Sequence, residues 1–168
     1  MADNYTQFSF QIEDITPEES AWLANLLALD FEDEVQRKEI ANALGIPKDI
    51  QADIEYWPDF SHSLSDKALW LYTEDSGSAY NAALLVRAYL AKFPPKGIKL
   101  FSVAYTCSKA RLDVFAGETY VVTSSHIYSD AFLAGMLTNA LENGRQKKLS
   151  MGDLEVIVRP KKRGRKAR

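Results

Sequence analysis

The stretch Tyr105-Thr106-Cys107-Ser108-Lys109-Ala110-Arg111-Leu112-Asp113 gathers a thiol, hydroxyls, two cations and a carboxylate on a short span of chain. A cysteine becomes a nucleophile when nearby positive charge or a base favours its thiolate, and Lys109 and Arg111 are spaced to supply that charge. The base is harder to find. The chain has only His62 and His126, and neither stands in a recognised catalytic arrangement. Cys107 therefore reads first as a small buried residue at a strand end, with a small enzyme or redox sensor built on it as the catalytic alternative. Lys109 and Arg111 also have a reading of their own. Two residues apart in an extended segment, they share a face and form a pair able to meet phosphate or an acidic partner. The plainer reading is a solvated pair, or ion pairs with Asp113 and the acidic N-terminal half.

Carboxylates cluster at Asp30, Glu32, Asp33 and Glu34. General acid and base chemistry would need a cavity that separates their pKa values, whereas an acidic run in water stays ionised. The run is therefore expected to be a partner-facing acidic surface. One version of that surface imitates the phosphate charge of DNA and occupies a DNA-binding or defence protein. No glycine-rich phosphate loop, zinc-protease helix, nucleophile elbow or calcium loop is present. A single cysteine excludes both an intrachain disulfide and a thiolate metal cluster. No cofactor is expected.

The C-terminal segment Arg159-Pro160-Lys161-Lys162-Arg163-Gly164-Arg165-Lys166-Ala167-Arg168 holds seven cations and no acid. With nothing apolar to anchor it, it is expected to be disordered when free. Its Arg163-Gly164-Arg165 centre is similar to the middle of a minor-groove AT-hook, in which glycine lets the backbone approach and arginines follow the negative groove; Lys166 stands where proline usually follows. DNA or RNA contact through Lys161, Lys162, Arg163, Gly164, Arg165, Lys166 and Arg168 is the expectation. The rest of the chain is acidic in sum, at −10. Met1 to Asp75 holds 17 acidic and 4 basic residues, a net −13, while Ser76 to Val158 is +3. Such a body repels polyanions over much of its surface, and opposite charges allow pairing between two copies as a homodimer.

These groups need elements to position them. Tyr5 to Ile12 alternates apolar and polar residues as a strand does. Thr16-Pro17-Glu18-Glu19 combines an N-cap, a proline at the first helical position and a glutamate that closes a capping box, with Ile15 just before it, so a helix is expected to about Leu29. A short helix carrying Val35, Ile40, Ala43 and Leu44 should stop at Gly45. Asp53 to Phe60 and Lys67 to Thr73 read as strands joined by a polar connection over Ser61 to Asp66. A helix from Ala79 to Phe93 ends at Pro94-Pro95. Ile98 to Thr106 and Thr119 to Ser124 read as neighbouring strands, a helix follows from Tyr128 or Ser129 to Glu142, and Gly152 to Val158 is a last strand. Trp22 and Trp70 sit in apolar contexts that favour the core, while Pro58 pushes Trp57 toward an edge.

The architecture expected is α+β: a mostly antiparallel sheet with three or four helices packed mainly on one face, as one compact domain over 1–158 and a basic tail over 159–168. The absence of a basic-then-apolar leader and of any apolar run approaching about 20 residues argues against a secretory signal or a membrane span. Together with the lone cysteine, this places the protein in the cytoplasm. The segment FSVAYTCSKARLDVFAGETYVVTS, preceded by the tryptophan-bearing strand and AYLAKFPP, resembles small uncharacterised proteins of bacterial viruses, plasmids and other mobile elements. They carry a TCSKxR segment, an F-G-G turn and a V-x-V/F-T strand; Ala116 stands where their first glycine falls. The resemblance implies a noncatalytic accessory or regulatory protein of a mobile element, with a protein partner for its body and nucleic acid for its tail.

Overall fold

A computed structural model describes residues 4–46, 56–108 and 116–130 with their side chains, and 147–151 and 154–158 by their backbone. In chain order the elements are β1 (Asn4–Glu13), α1 (Pro17–Leu27), α2 (Glu34–Ala43), β2 (Ser61–Leu64), β3 (Ala68–Thr73), α3 (Ala79–Lys92), β4 (Lys99–Cys107), β5 (Ala116–Val122), β6 (Ile127–Ser129), β7 (Lys147–Met151) and β8 (Leu154–Val158). The first six strands form one antiparallel sheet in the order β2-β3-β1-β4-β5-β6, and β7 and β8 pair as a separate hairpin. The protein is α+β.

Local chemistry fixes the helix ends. Thr16 Oγ1 accepts from the Glu19 amide at 3.3 Å while Glu19 Oε2 accepts from the Thr16 amide at 2.8 Å, the reciprocal capping box the sequence foretold. Glu19 is nonetheless buried, because its carboxylate also receives Lys96 Nζ at 2.8 Å and the Tyr89 hydroxyl at 3.1 Å. Burial pushes this carboxyl up, but the bonds from Lys96, Thr16 and Tyr89 outweigh that and hold it below the usual carboxylate range. At the end of α2, Ile46 N donates to Ala41 O at 2.9 Å and Gly45 N to Asn42 O at 3.1 Å. This double bond pattern needs a left-handed residue, and Gly45 supplies it at φ 63°. Ser78 caps α3 by accepting from Asn81 N.

β1 is the central strand, and its two halves have different partners. Asn4 to Phe8 pairs with β4 and Phe8 to Glu13 with β3, so Phe8 alone is paired on both sides. Every buried apolar strand residue from β1 to β5 lies on one side of the pleat: Phe8 and Ile12 of β1, Leu69 and Leu71 of β3, Phe101 and Val103 of β4, Tyr120 and Val122 of β5. They form one cluster with Leu23 and Leu26 of α1, Ile40 of α2, and Leu85, Val86 and Tyr89 of α3. Phe10 stacks on Phe101 at 4.2 Å, and Phe101 on Tyr120 at 5.1 Å, extending the aromatic floor across three strands.

Several expectations need correction. Residues 56–60 form bends rather than a strand, and the true neighbour of β3 is Ser61–Leu64, which the sequence reads as a connection. The reason is tertiary. Trp57 Nε1 donates to Leu26 O at 3.3 Å and Asn81 Nδ2 to Tyr56 O at 2.9 Å, which folds this segment onto α1 and α3. Gly77 completes the packing, since a Cβ there would stand 2.7 Å from the Asp59 carbonyl oxygen. The expected helix start at Tyr128 or Ser129 is instead strand β6, paired with β5; residues 131–142, where most of that helix falls, lie outside the described residues. Val35 is exposed, not part of the apolar stripe of α2. The partner of the last strand, Lys147–Met151, is not marked by alternation of the kind that reveals β1.

Candidate functional site: the outward face of the sheet

The strand residues between the core positions point the other way. They are Ser61 and Ser63 on β2, Ala68, Trp70 and Tyr72 on β3, Gln7, Ser9 and Gln11 on β1, Leu100, Ser102 and Ala104 on β4, and Gly117, Thr119 and Val121 on β5. None is charged. A face that only needs solvation normally carries lysine and glutamate at such positions, because antiparallel sheets alternate apolar inside and polar outside. This face instead exposes Trp70 at 44% and Leu100 at 57%, with Ile98 exposed just before β4. Trp70 and Leu100 stand on either side of β1 with small neutral side chains around them.

Its relief is specific. Trp70 and Tyr72 stack at 4.2 Å as a ridge along β3, and the indole Nε1 of Trp70 donates to Ser9 Oγ at 2.8 Å, which fixes the ring against β1. Cross-strand pairing of Ser63 and Gln11 with Trp70, and of Ser61 and Ser9 with Tyr72, leaves only short or flexible side chains beside the rings. Next to the ridge lies an open depression of about 740 Å³ around Gln7, Ser9, Ser102 and Ala104. Glu74 and Asp75 close one end of it, tied back by the bonds from Gln7 Nε2 to Glu74 O at 2.8 Å and from Thr6 N to Asp75 O at 2.9 Å. Glu13 is the outward residue at the other end of β1. The surface is thus a rigid aromatic ridge beside a small-residue hollow, neutral at its centre and negative at its ends.

The four carboxylates singled out in sequence are exposed, but most have local tasks. Asp33 caps α2 by accepting from Val35 N and Gln36 N, both at 2.9 Å, and Asp30 Oδ1 accepts from Glu32 N at 2.9 Å. Glu34 pairs with Lys38 one turn on at 2.6 Å. Lys38 draws the Glu34 carboxyl below its ordinary range through hydrogen bond and charge together. They form the entry to a helix rather than a cavity. Cys107 ends β4 opposite Asn4 and is half-buried, not sealed in the core as the sequence suggests. Lys109 and Arg111 lie outside the described residues, and so do Lys161, Lys162, Arg163, Gly164, Arg165, Lys166 and Arg168. Among the described residues no group of three histidine, cysteine or acidic side chains is placed to hold a metal, and no helix is long and apolar enough to cross a membrane.

Sequence reasoning missed Trp70 and Tyr72 as surface residues and assigned Trp70 to the core. The structure reverses the two tryptophans: Trp57 is buried and Trp70 is not. A signal was present in KALWLYT, where Leu69 and Leu71 alternate with Trp70 and Tyr72, so only one of these pairs can face the helices. No known protein family matches this chain, and neither a curated protein nor a solved structure matches it.

Proposed function

We propose that the protein is a noncatalytic accessory factor of a mobile genetic element whose outward sheet face docks a partner protein, while the basic tail contributes nucleic-acid contact. The observation that carries the first part is the face with an uncharged centre, its exposed Trp70 fixed by Ser9 and stacked on the half-buried Tyr72. Tryptophan and tyrosine anchor interfaces because they bury large area with little loss of side-chain freedom. The carboxylates at the ends of the face favour a partner with an apolar centre flanked by lysine or arginine. A nucleic acid is a poor occupant of the same surface, since it would meet Glu13, Glu74 and Asp75 without a cation among the outward residues of β1 to β5. Phosphate contact then falls to Arg159–Arg168, where the sequence concentrates positive charge.

The two parts separate experimentally. Partner capture with the wild-type chain and with a Trp70→Ser, Tyr72→Ser variant should give a protein retained by the first and lost by the second, at equal thermal stability. Retention of every partner by the variant overturns the docking face. A wild-type dimer that the variant dissociates identifies the occupant as a second copy. Binding to duplex DNA, single strands and RNA is compared between the whole chain and one ending at Val158. The tail reading requires a steep salt dependence that disappears with the tail; identical binding by both chains removes it.

A further inference from the structure

Away from the sheet face, α3 carries two cations, Arg87 and Lys92, that no carboxylate approaches within ion-pair distance among the described residues. Both line a groove of about 530 Å³ that Trp22, Gly45, Ser124 and Ser125 complete. Unpaired cations in one concave site are unusual for a chain in which acids outnumber bases, and the volume is that of a small-molecule site.

The geometry of the cations is held in place. Arg87 Nη2 donates to Leu44 O at 2.6 Å and Gly45 O at 3.3 Å, which anchors one corner of the guanidinium and leaves Nη1 and Nε without a hydrogen-bond partner among the described residues. The negative end of α2 points at this region and would oppose an anion if bare. It is not bare: Arg87 takes the carbonyls of Leu44 and Gly45, while Ile46 N and Gly45 N take those of Ala41 and Asn42. Lys92 Nζ lies 5.8 Å from the Trp22 ring centre and 5.6 Å from that of Phe93, two aromatic contacts that steady it without neutralising it. Across the groove, the turn carrying Ser124 and Ser125 is set by Thr123, whose Oγ1 accepts from His126 N at 2.9 Å and whose amide donates to His126 O at 2.9 Å.

We infer that this groove binds a phosphate monoester. Arg87 and Lys92 take its charged oxygens, the Ser124 hydroxyl donates a further bond, and Trp22 with Ala88 and Ala91 walls the organic group attached to the phosphate. The site is independent of the sheet face, so either can fail alone.

Calorimetric titration of the full chain with inorganic phosphate and with adenosine monophosphate tests it. The expected result is saturable binding at one site that Lys92→Gln weakens by about tenfold, the loss of roughly one charge-assisted bond, with no change in Tm. Because Arg87→Gln also frees the end of α2, Ser124→Ala is the second variant; it should weaken binding severalfold at unchanged Tm. Tighter binding of the nucleotide than of phosphate assigns the wall to the organic group, and equal binding limits the site to its oxyanion half. A chain with the seven tail cations replaced by glutamine controls for their competition. Absence of saturable binding, or binding that survives Lys92→Gln but vanishes with the tail cations, overturns the site.

Discussion

Trp70 and Leu71 are neighbours on β3 and belong to different surfaces. Leu71 faces the helices with no exposure at all, among apolar residues contributed by three helices and four strands, while Trp70 faces outward and stacks only on Tyr72. The two faces also differ in how they use polar groups. On the covered face Glu19 is buried and fully engaged, with Lys96, Tyr89 and the Thr16 amide on its carboxylate. On the outward face the serines and glutamines are exposed and neutral, and the bond from Trp70 to Ser9 orients an aromatic ring. One face carries the buried core of β1 to β5, and the other carries the exposed Trp70 and Leu100.

Five measurements sharpen or break this contrast. Leu71→Ala should cost about 2–5 kcal/mol in denaturant unfolding, through lost burial and the cavity left behind. An effect below about 1 kcal/mol would mean that the core is not where these faces place it. Glu19→Ala should cost about 1–2 kcal/mol, because it opens the capping box and leaves the buried Tyr89 hydroxyl without its acceptor. The pH dependence gives the same residue a second readout. The folded-state pKa of Glu19 is lowered, so its contribution is present above the unfolded carboxylate pKa of about 4.3 and is lost as pH falls through the folded value. Unfolding measured between pH 7 and pH 3 should therefore show an acid loss that is smaller in Glu19→Gln; an unchanged profile would remove the carboxylate from the stability of α1.

Gly45→Ala should cost about 1 kcal/mol from the left-handed backbone alone, since Arg87 Nη2 would stand 3.8 Å from the new Cβ and need not move. A cost of several kcal/mol would show that the Arg87 anchor is more tightly packed than that distance implies. Smallest of all, Trp70→Ser should change stability by less than about 1 kcal/mol, as exposed positions usually do, while removing partner binding. If its stability cost rivals that of Leu71→Ala, the outward face is structural and the docking proposal loses its basis.

Parts of this arrangement are legible in the sequence. Thr16-Pro17-Glu18-Glu19 announces α1 because a capping box is a hydrogen-bond pattern closed within four residues, and Gly45 ends α2 because only the local backbone angle is at stake. β1 is visible in the alternation of Phe8, Phe10 and Ile12 with Ser9 and Gln11, and the antiparallel α+β class follows from such segments and their short connections. The candidate site was much less legible. Charged and nucleophilic residues stand out along a chain, whereas the outward face is marked by neutral residues at positions that become neighbours only when β3, β1 and β4 assemble. The second helix-side groove brings Trp22, Arg87 and Ser124 together from separate elements. Neither grouping has a spacing that the chain could display.

By itself, then, the amino-acid order determined where α1 and α3 begin and where α2 and α3 stop, which strand residues share a side, and how acidic and basic charge divide along the chain. Each is set by interactions reaching a few residues or by simple summation of charge. Tertiary structure alone decided that Leu71 and not Trp70 meets the helices, that Trp57 is buried against α1, and that Ser61–Leu64 extends the sheet. Alternation offers two equivalent faces, and the choice between them is made when helices close over one side and remove its apolar area from water.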